Sequence, residues 1–107
     1  MPISVITDKP AELLASINKK LVEDKIRTWK KETHNNIDYY THTPEQYFHK
    51  AWFTPTVKKD ELYFAIVYPK DIAAISKAIY GIYHGRFVEM ITSHFYETYD
   101  ITTITVK

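Results

Sequence analysis

Residues 71–95 read DIAAISKAIYGIYHGRFVEMITSHF, and the rest of the chain is best understood from this stretch outward. On a helical wheel, with successive side chains about 100° apart, Ile72, Ile75, Ile79, Ile82, Tyr83 and Met90 fall together as a core stripe. Nearly opposite lie Ala74, Ala78, Gly81, Gly85, Val88 and Thr92, a series dominated by alanine and glycine. Small residues at such spacing let a second backbone approach closely. Glycine inside a helix costs about 1 kcal/mol relative to alanine, so two of them need a reason. Between Ile72 and Phe95 only Lys77, Arg86 and Glu89 carry formal charge. The pattern predicts a helix over 71–95 that is buried on two faces, and such a helix would be roughly 37 Å long. Either the first helix of the chain or a second protomer must cover the small-residue side. The expectation drawn here is a homodimer through Ala74, Ala78, Gly81 and Gly85. The alternative is a kink at Gly81 or Gly85 that divides the segment into two helices.

Upstream, 52–58 and 62–68 form a hairpin turning near Lys59 and Asp60. In its second strand both alternating faces are apolar, which predicts a central strand covered on both sides. Residues 3–7 read as a short strand. Between 10 and 25, Leu13, Leu14, Ile17, Leu21 and Val22 recur at helical spacing behind Pro10. Strands are expected over 26–33 and 37–41, joined through His34, Asn35 and Asn36, since asparagine tolerates positive φ. Thr43, Pro44 and Gln46 carry the signature of an N-cap, first helical position and capping-box partner, so a short helix is predicted over 44–50. The final strand, 97–106, shows a slip in alternation between Ile101 and Ile104 that suggests a bulge. Together these predict an α+β domain spanning 1–107. Its sheet would be mainly antiparallel, of five or six strands, with two long helices on one face, and a ferredoxin-like variant with an added hairpin is one version.

Composition narrows the function classes. The chain has 107 residues and no cysteine, so disulfides, iron–sulfur clusters and thiol catalysis are excluded. MPISVITDKPAELL lacks the form of a signal peptide, and no window is apolar enough to span a membrane, so a cytoplasmic protein with no membrane partner is expected. The net charge of +1 exerts no global pull on nucleic acid. Lys19, Lys20, Lys25, Arg27, Lys30 and Lys31 surround Trp29, but Glu23, Asp24 and Glu32 dilute them, and nucleic-acid binding there is not expected. Aromatics make up 15% of the residues, nine of them tyrosines, a surplus that suits either strand faces or a contact surface.

The chemistry-bearing candidates are His42, His84, Arg86 and Glu89. Arg86 falls inside the apolar stripe of the wheel, where a guanidinium must be paired, and Glu89 three residues on can reach it. His84 and His94 occupy neighbouring faces of the same helix. An arginine, a carboxylate and imidazoles together suit an anion-binding or acid–base site. The same residues suit equally a buried ion pair that fixes packing. No histidine pair has zinc-ligand spacing, so no metal is expected. Both glycines sit in one helical segment, so no phosphate loop and no nucleotide cofactor are expected. No serine lies in a nucleophile-elbow context.

Thr28–Trp29, the run THTPEQY (41–47), Ala51–Trp52 and the run YHGRFVEM (83–90) resemble stretches shared by short bacterial proteins of unknown function. The resemblance implies no activity; it singles out His42, Gln46, Trp52, His84, Arg86 and Glu89. Two functional expectations follow. The first is a non-enzymatic protein-binding or regulatory module, self-associating, with an inhibitor of the immunity or antitoxin kind as one version. The second is a small acid–base enzyme that binds a phosphate or carboxylate through Arg86 and histidines.

Overall fold

The computed structural model describes residues 2–70 and 76–106. Within them the chain runs β1 (Ile3–Ile6), α1 (Pro10–Val22), β2 (Trp29–His34), β3 (Ile37–His42), β4 (Trp52–Lys58), β5 (Glu61–Val67), α2 (Lys77–Phe95) and β6 (Thr103–Val106). This is an α+β architecture with one six-stranded sheet, order β2-β3-β4-β5-β1-β6, in which every pairing is antiparallel.

Register and burial separate the two faces of the sheet. Ile3 lies opposite Phe64 and Val5 opposite Leu62, and all four are fully buried, as are Phe53 and Tyr40 where β4 meets β3. Leu13 and Ile17 of α1 and Phe87 and Ile91 of α2 complete this core. Phe87 sits at its centre, its ring 4.6 Å from that of Phe53 and 4.7 Å from that of Phe64. Side chains alternate along a strand, so Trp52, Thr54, Tyr63, Ala65 and Val67 belong to the opposite face. There Tyr63 and Ala65 are half-buried and Val67 is exposed. β5 is therefore central, as its sequence predicts, but only one of its two apolar faces is sealed among the described residues.

Several local expectations are corrected. The N-terminus of α2 is set by Ser76, whose extended backbone breaks the helical path and whose Oγ accepts from Ile79 N at 3.2 Å. The helix runs over 77–95, not 71–95, and Ile72, Ala74 and Ile75 lie outside the described residues. It is not buried all round. Tyr83, His84, Phe87, Met90, Ile91 and Phe95 face the core, while Ala78, Gly81, Gly85, Arg86, Glu89 and Thr92 are exposed. Large aromatic side chains with deep partners in the sheet fix the rotation of the helix, and of the isoleucines used to orient the wheel Ile79 and Ile82 end half-buried. Arg86 is consequently no buried cation: its side chain is 55% exposed and that of Glu89 63%.

Residues 44–50 form hydrogen-bonded turns in place of the expected helix. Tyr47 N and Phe48 N both donate to Pro44 O, but His49 at φ 61° ends the winding. Thr43 Oγ1 donates to Arg27 O at 2.7 Å and does not cap. α1 stops at Val22, followed by Asp24 at φ 60°, and β2 starts at Trp29, three residues later than the sequence suggests. After α2 the chain winds through turns to Asp100 at φ 48°, and β6 begins only at Thr103. The broken alternation at Ile101–Ile104 thus marks a loop handing a buried Ile101 to a strand, with no bulge.

Candidate functional site

β2 and β3 pair with Trp29 opposite His42, and both side chains turn to the core face beside the second half of α2. Trp29 is held by aromatic edges: the rings of Tyr83 at 5.5 Å and Phe87 at 4.9 Å stand nearly perpendicular to it. His42 lies against Trp29 at 4.7 Å and stacks on Tyr47 at 5.7 Å with an interplanar angle of 23°. The turn segment that carries Tyr47 is tied to α2 by the Tyr83 hydroxyl, which donates to Tyr47 O and also meets Thr41 Oγ1 at 3.1 Å. Between β2, β3, this turn segment and α2 opens a hollow of about 520 Å³. His42, Gln46, Tyr47, Arg86, Glu89 and His94 are among its lining residues.

His42 is the chemically distinctive member. Its Nδ1 is 2.7 Å from Thr28 O. A carbonyl can only accept, so Nδ1 carries the proton and, in the neutral ring, Nε2 is a bare acceptor. Nε2 has no hydrogen-bond partner among the described residues. Among those residues Trp29 Nε1 is the one fully buried side-chain polar atom without a partner, so the unpartnered Nε2 is not sealed off and opens on the hollow. Burial holds the imidazole below its ordinary pKa. The bond to Thr28 O opposes that shift, the Arg86 cation reinforces it, and the Glu89 carboxylate opposes it. His42 thus stands in the hollow as a neutral, oriented base within the field of a guanidinium.

Arg86 and Glu89 form an i,i+3 pair at 3.2 Å. Both are exposed, so the pair adds roughly 0–1 kcal/mol to the fold, and the Arg86 side chain is available to an anion. Of the candidates His42, His84, Arg86 and Glu89, three line the hollow together. His84 does not: it is buried, stacks on Tyr80 at 3.9 Å, turns its edge to Phe53 at 5.2 Å and bonds Tyr80 O through Nδ1. His84 and Phe87, unlike Arg86, point at the sheet. Tyr47, Ser93 and Trp29 were not among the site residues expected from sequence; their convergence depends on the turn segment folding back against α2. No group of three or more histidine and carboxylate side chains suited to a metal occurs among the described residues.

A second polar cluster lies on the other face of the sheet. Glu32 accepts from Trp52 Nε1 at 2.9 Å and pairs with His49 Nε2 at 2.8 Å. Burial works to raise its pKa, but the hydrogen bonds from Trp52 and His49 and the charge of His49 outweigh it and hold Glu32 below the usual carboxylate value. Trp52, singled out by sequence, therefore belongs to this cluster and not to the hollow.

No protein-family model, curated protein or solved structure matches the chain. No helix among the described residues is long and apolar enough to cross a membrane.

Proposed function

We propose that the hollow between β2, β3 and α2 binds a small phosphate- or carboxylate-bearing molecule, with Arg86 receiving the anion and His42 exchanging a proton with the bound group. The observation that carries this reading is the unpartnered Nε2 of His42, whose ring is oriented by Thr28 O and lines the same hollow as the half-exposed Arg86. A neutral imidazole can take a proton, and a guanidinium can hold an anion bidentately. Glu89 keeps Arg86 directed along the helix until an anion displaces it. Titration of labelled protein with inorganic phosphate and simple carboxylates, followed through the histidine resonances, tests this. The expected result is a saturable shift of His42 that disappears in Arg86→Ala while the fold persists. No shift with any anion, or a shift unchanged in Arg86→Ala, overturns it.

The arrangement supporting this site is read as a ferredoxin-like sheet with the hairpin β2–β3 added at one edge and both helices over one face. Tyr40 supports it, since its hydroxyl donates to Asn18 of α1 while its ring lies 6.3 Å from Phe87 of α2. A second reading, a self-associating protein-binding module of the inhibitor kind, is favoured by the outer face of α2, where Ala78, Gly81 and Gly85 are exposed and a Cβ added at either glycine would meet nothing within 4 Å. A reducing compartment such as the cytoplasm suits a chain without cysteine.

A further inference from the structure

The face of the sheet opposite the core carries aromatic rings and cations in an arrangement that neither the hollow nor the fold accounts for. The register places Trp52 beside Val67, Thr54 beside Ala65 and Thr56 beside Tyr63. Tyr39 adjoins this row on β3, next to the Tyr40–Phe53 pairing. Small Thr54 and Ala65 thus form a floor with larger rings around it. Tyr39, Trp52 and Tyr63 are only half-buried. At one end, Tyr39, Trp52, Tyr68 and Lys70 help line a second hollow of about 410 Å³.

Lys30, Lys58 and Lys70 share this face with the carboxylates Glu32 and Glu61. Both oxygens of Glu32 are engaged by His49 and Trp52, and Glu61 accepts from the Ser4 hydroxyl. Neither Lys30 nor Lys58 forms a direct ion pair among the described residues, although Lys30 adds to the field that lowers Glu32 and Lys58 stands opposite Glu61; they ride over rings, Lys30 at 5.8 Å from Phe48 and Lys58 at 3.9 Å from Tyr63. We propose that this face binds single-stranded nucleic acid, its bases stacking on Tyr39 and Trp52 and its phosphates meeting Lys30, Lys58 and Lys70. Flat rings accept any base, and cations beside them neutralise the backbone that joins successive bases. A peptide could stack only its arginine, proline or aromatic side chains on these rings, whereas every nucleotide offers a flat face. A double helix cannot present its bases to them. The cluster around Trp29 considered from sequence cannot serve, because Trp29 is in the core.

Fluorescence anisotropy of a short labelled oligothymidylate or oligouridylate, titrated with the whole protein at several salt concentrations, tests the proposal. Saturable binding that weakens steeply with salt is expected. Tyr39→Ala should weaken it about five- to a hundredfold, and Lys58→Gln should both weaken it and reduce its salt dependence. Trp52→Ala also removes a partner of Glu32, so Tyr39→Ala is the decisive variant, with its thermal melt checked alongside. Three results overturn the proposal: no binding at low salt, equal binding of the matching duplex, or unchanged affinity in a folded Tyr39→Ala. Sedimentation of the same samples adds a fourth. A dimer split by Tyr39→Ala identifies the face as an interface between copies of this chain.

Discussion

His42 illustrates how a single residue can be read two ways until its hydrogen bond is known. Burial makes the neutral ring the stable form and depresses its folded pKa, against the bond that Nδ1 donates to Thr28 O. The unfolded chain then binds the proton more readily than the folded one, so His42 contributes stability that is full above its ordinary pKa and is lost as pH falls toward the folded value. Denaturant melts of wild type should weaken as pH drops below about 6.5, and the slope should flatten in His42→Asn. A slope identical in both proteins would remove His42 as its source. Tyr83 is the other decisive residue. Tyr83→Phe deletes the hydroxyl that joins the turn segment 44–50 to α2, with an expected loss of about 1–2 kcal/mol and faster amide exchange across 44–50, measurable by hydrogen exchange.

At the scale of elements, α2 shows what sequence makes legible and what it does not. Its existence, its C-terminal end at Phe95 and the proximity of Arg86 to Glu89 follow from periodicity and spacing. Its rotation does not, because the apolar residues nearly encircle it and only the shape of the sheet opposite decides that Phe87 enters the core and Arg86 leaves it. The hairpin β4–β5 and the strand pairs were legible for the opposite reason: alternation and turn residues specify them locally, as Asn35 and Asn36 at φ 53° and 65° confirm. The segment 44–50 carried good helix-start residues, yet tertiary bonds from Thr43 and Tyr83 and the positive φ of His49 outweighed them. One wall of the site, Pro44, Gln46 and Tyr47, comes from that segment, which is why Tyr47 was not anticipated. Two predictions belong to α2. Arg86→Ala should change stability by less than about 0.5 kcal/mol, as suits an exposed pair; a loss of several kcal/mol would show that the pair is buried in solution. Gly81→Ala and Gly85→Ala should each raise stability by up to about 1 kcal/mol if that face is free. If the face is an interface, the same substitutions should lower the sedimentation coefficient of the assembly.

For the molecule as a whole, the two sides of the sheet have been put to different uses. One is sealed by side chains of both helices, and its margin holds the neutral base and the guanidinium. The other keeps rings and ammonium groups within reach of solvent. The two proposals are therefore separable by experiment: Arg86→Ala should leave oligonucleotide binding intact, and Tyr39→Ala should leave the phosphate-induced shift of His42 intact. Loss of both activities in either variant would mean that the sites are coupled or that the fold has failed, and circular dichroism distinguishes these.

The placement of β1 has a consequence for how the protein comes into being. This strand sits between β5 and β6, pairing Ile3 with Phe64 on one side and with Val106 on the other, so neither neighbour exists when it leaves the ribosome. Local pairs such as β2–β3 and β4–β5 can close early, whereas β1 must wait for β5 on one side and β6 on the other. Contacts this distant in sequence slow folding relative to a helical bundle built on local contacts. Until those strands are made, Ile3 and Val5 have no sheet to bury them, and a chaperone that shields apolar strand residues would find its substrate there.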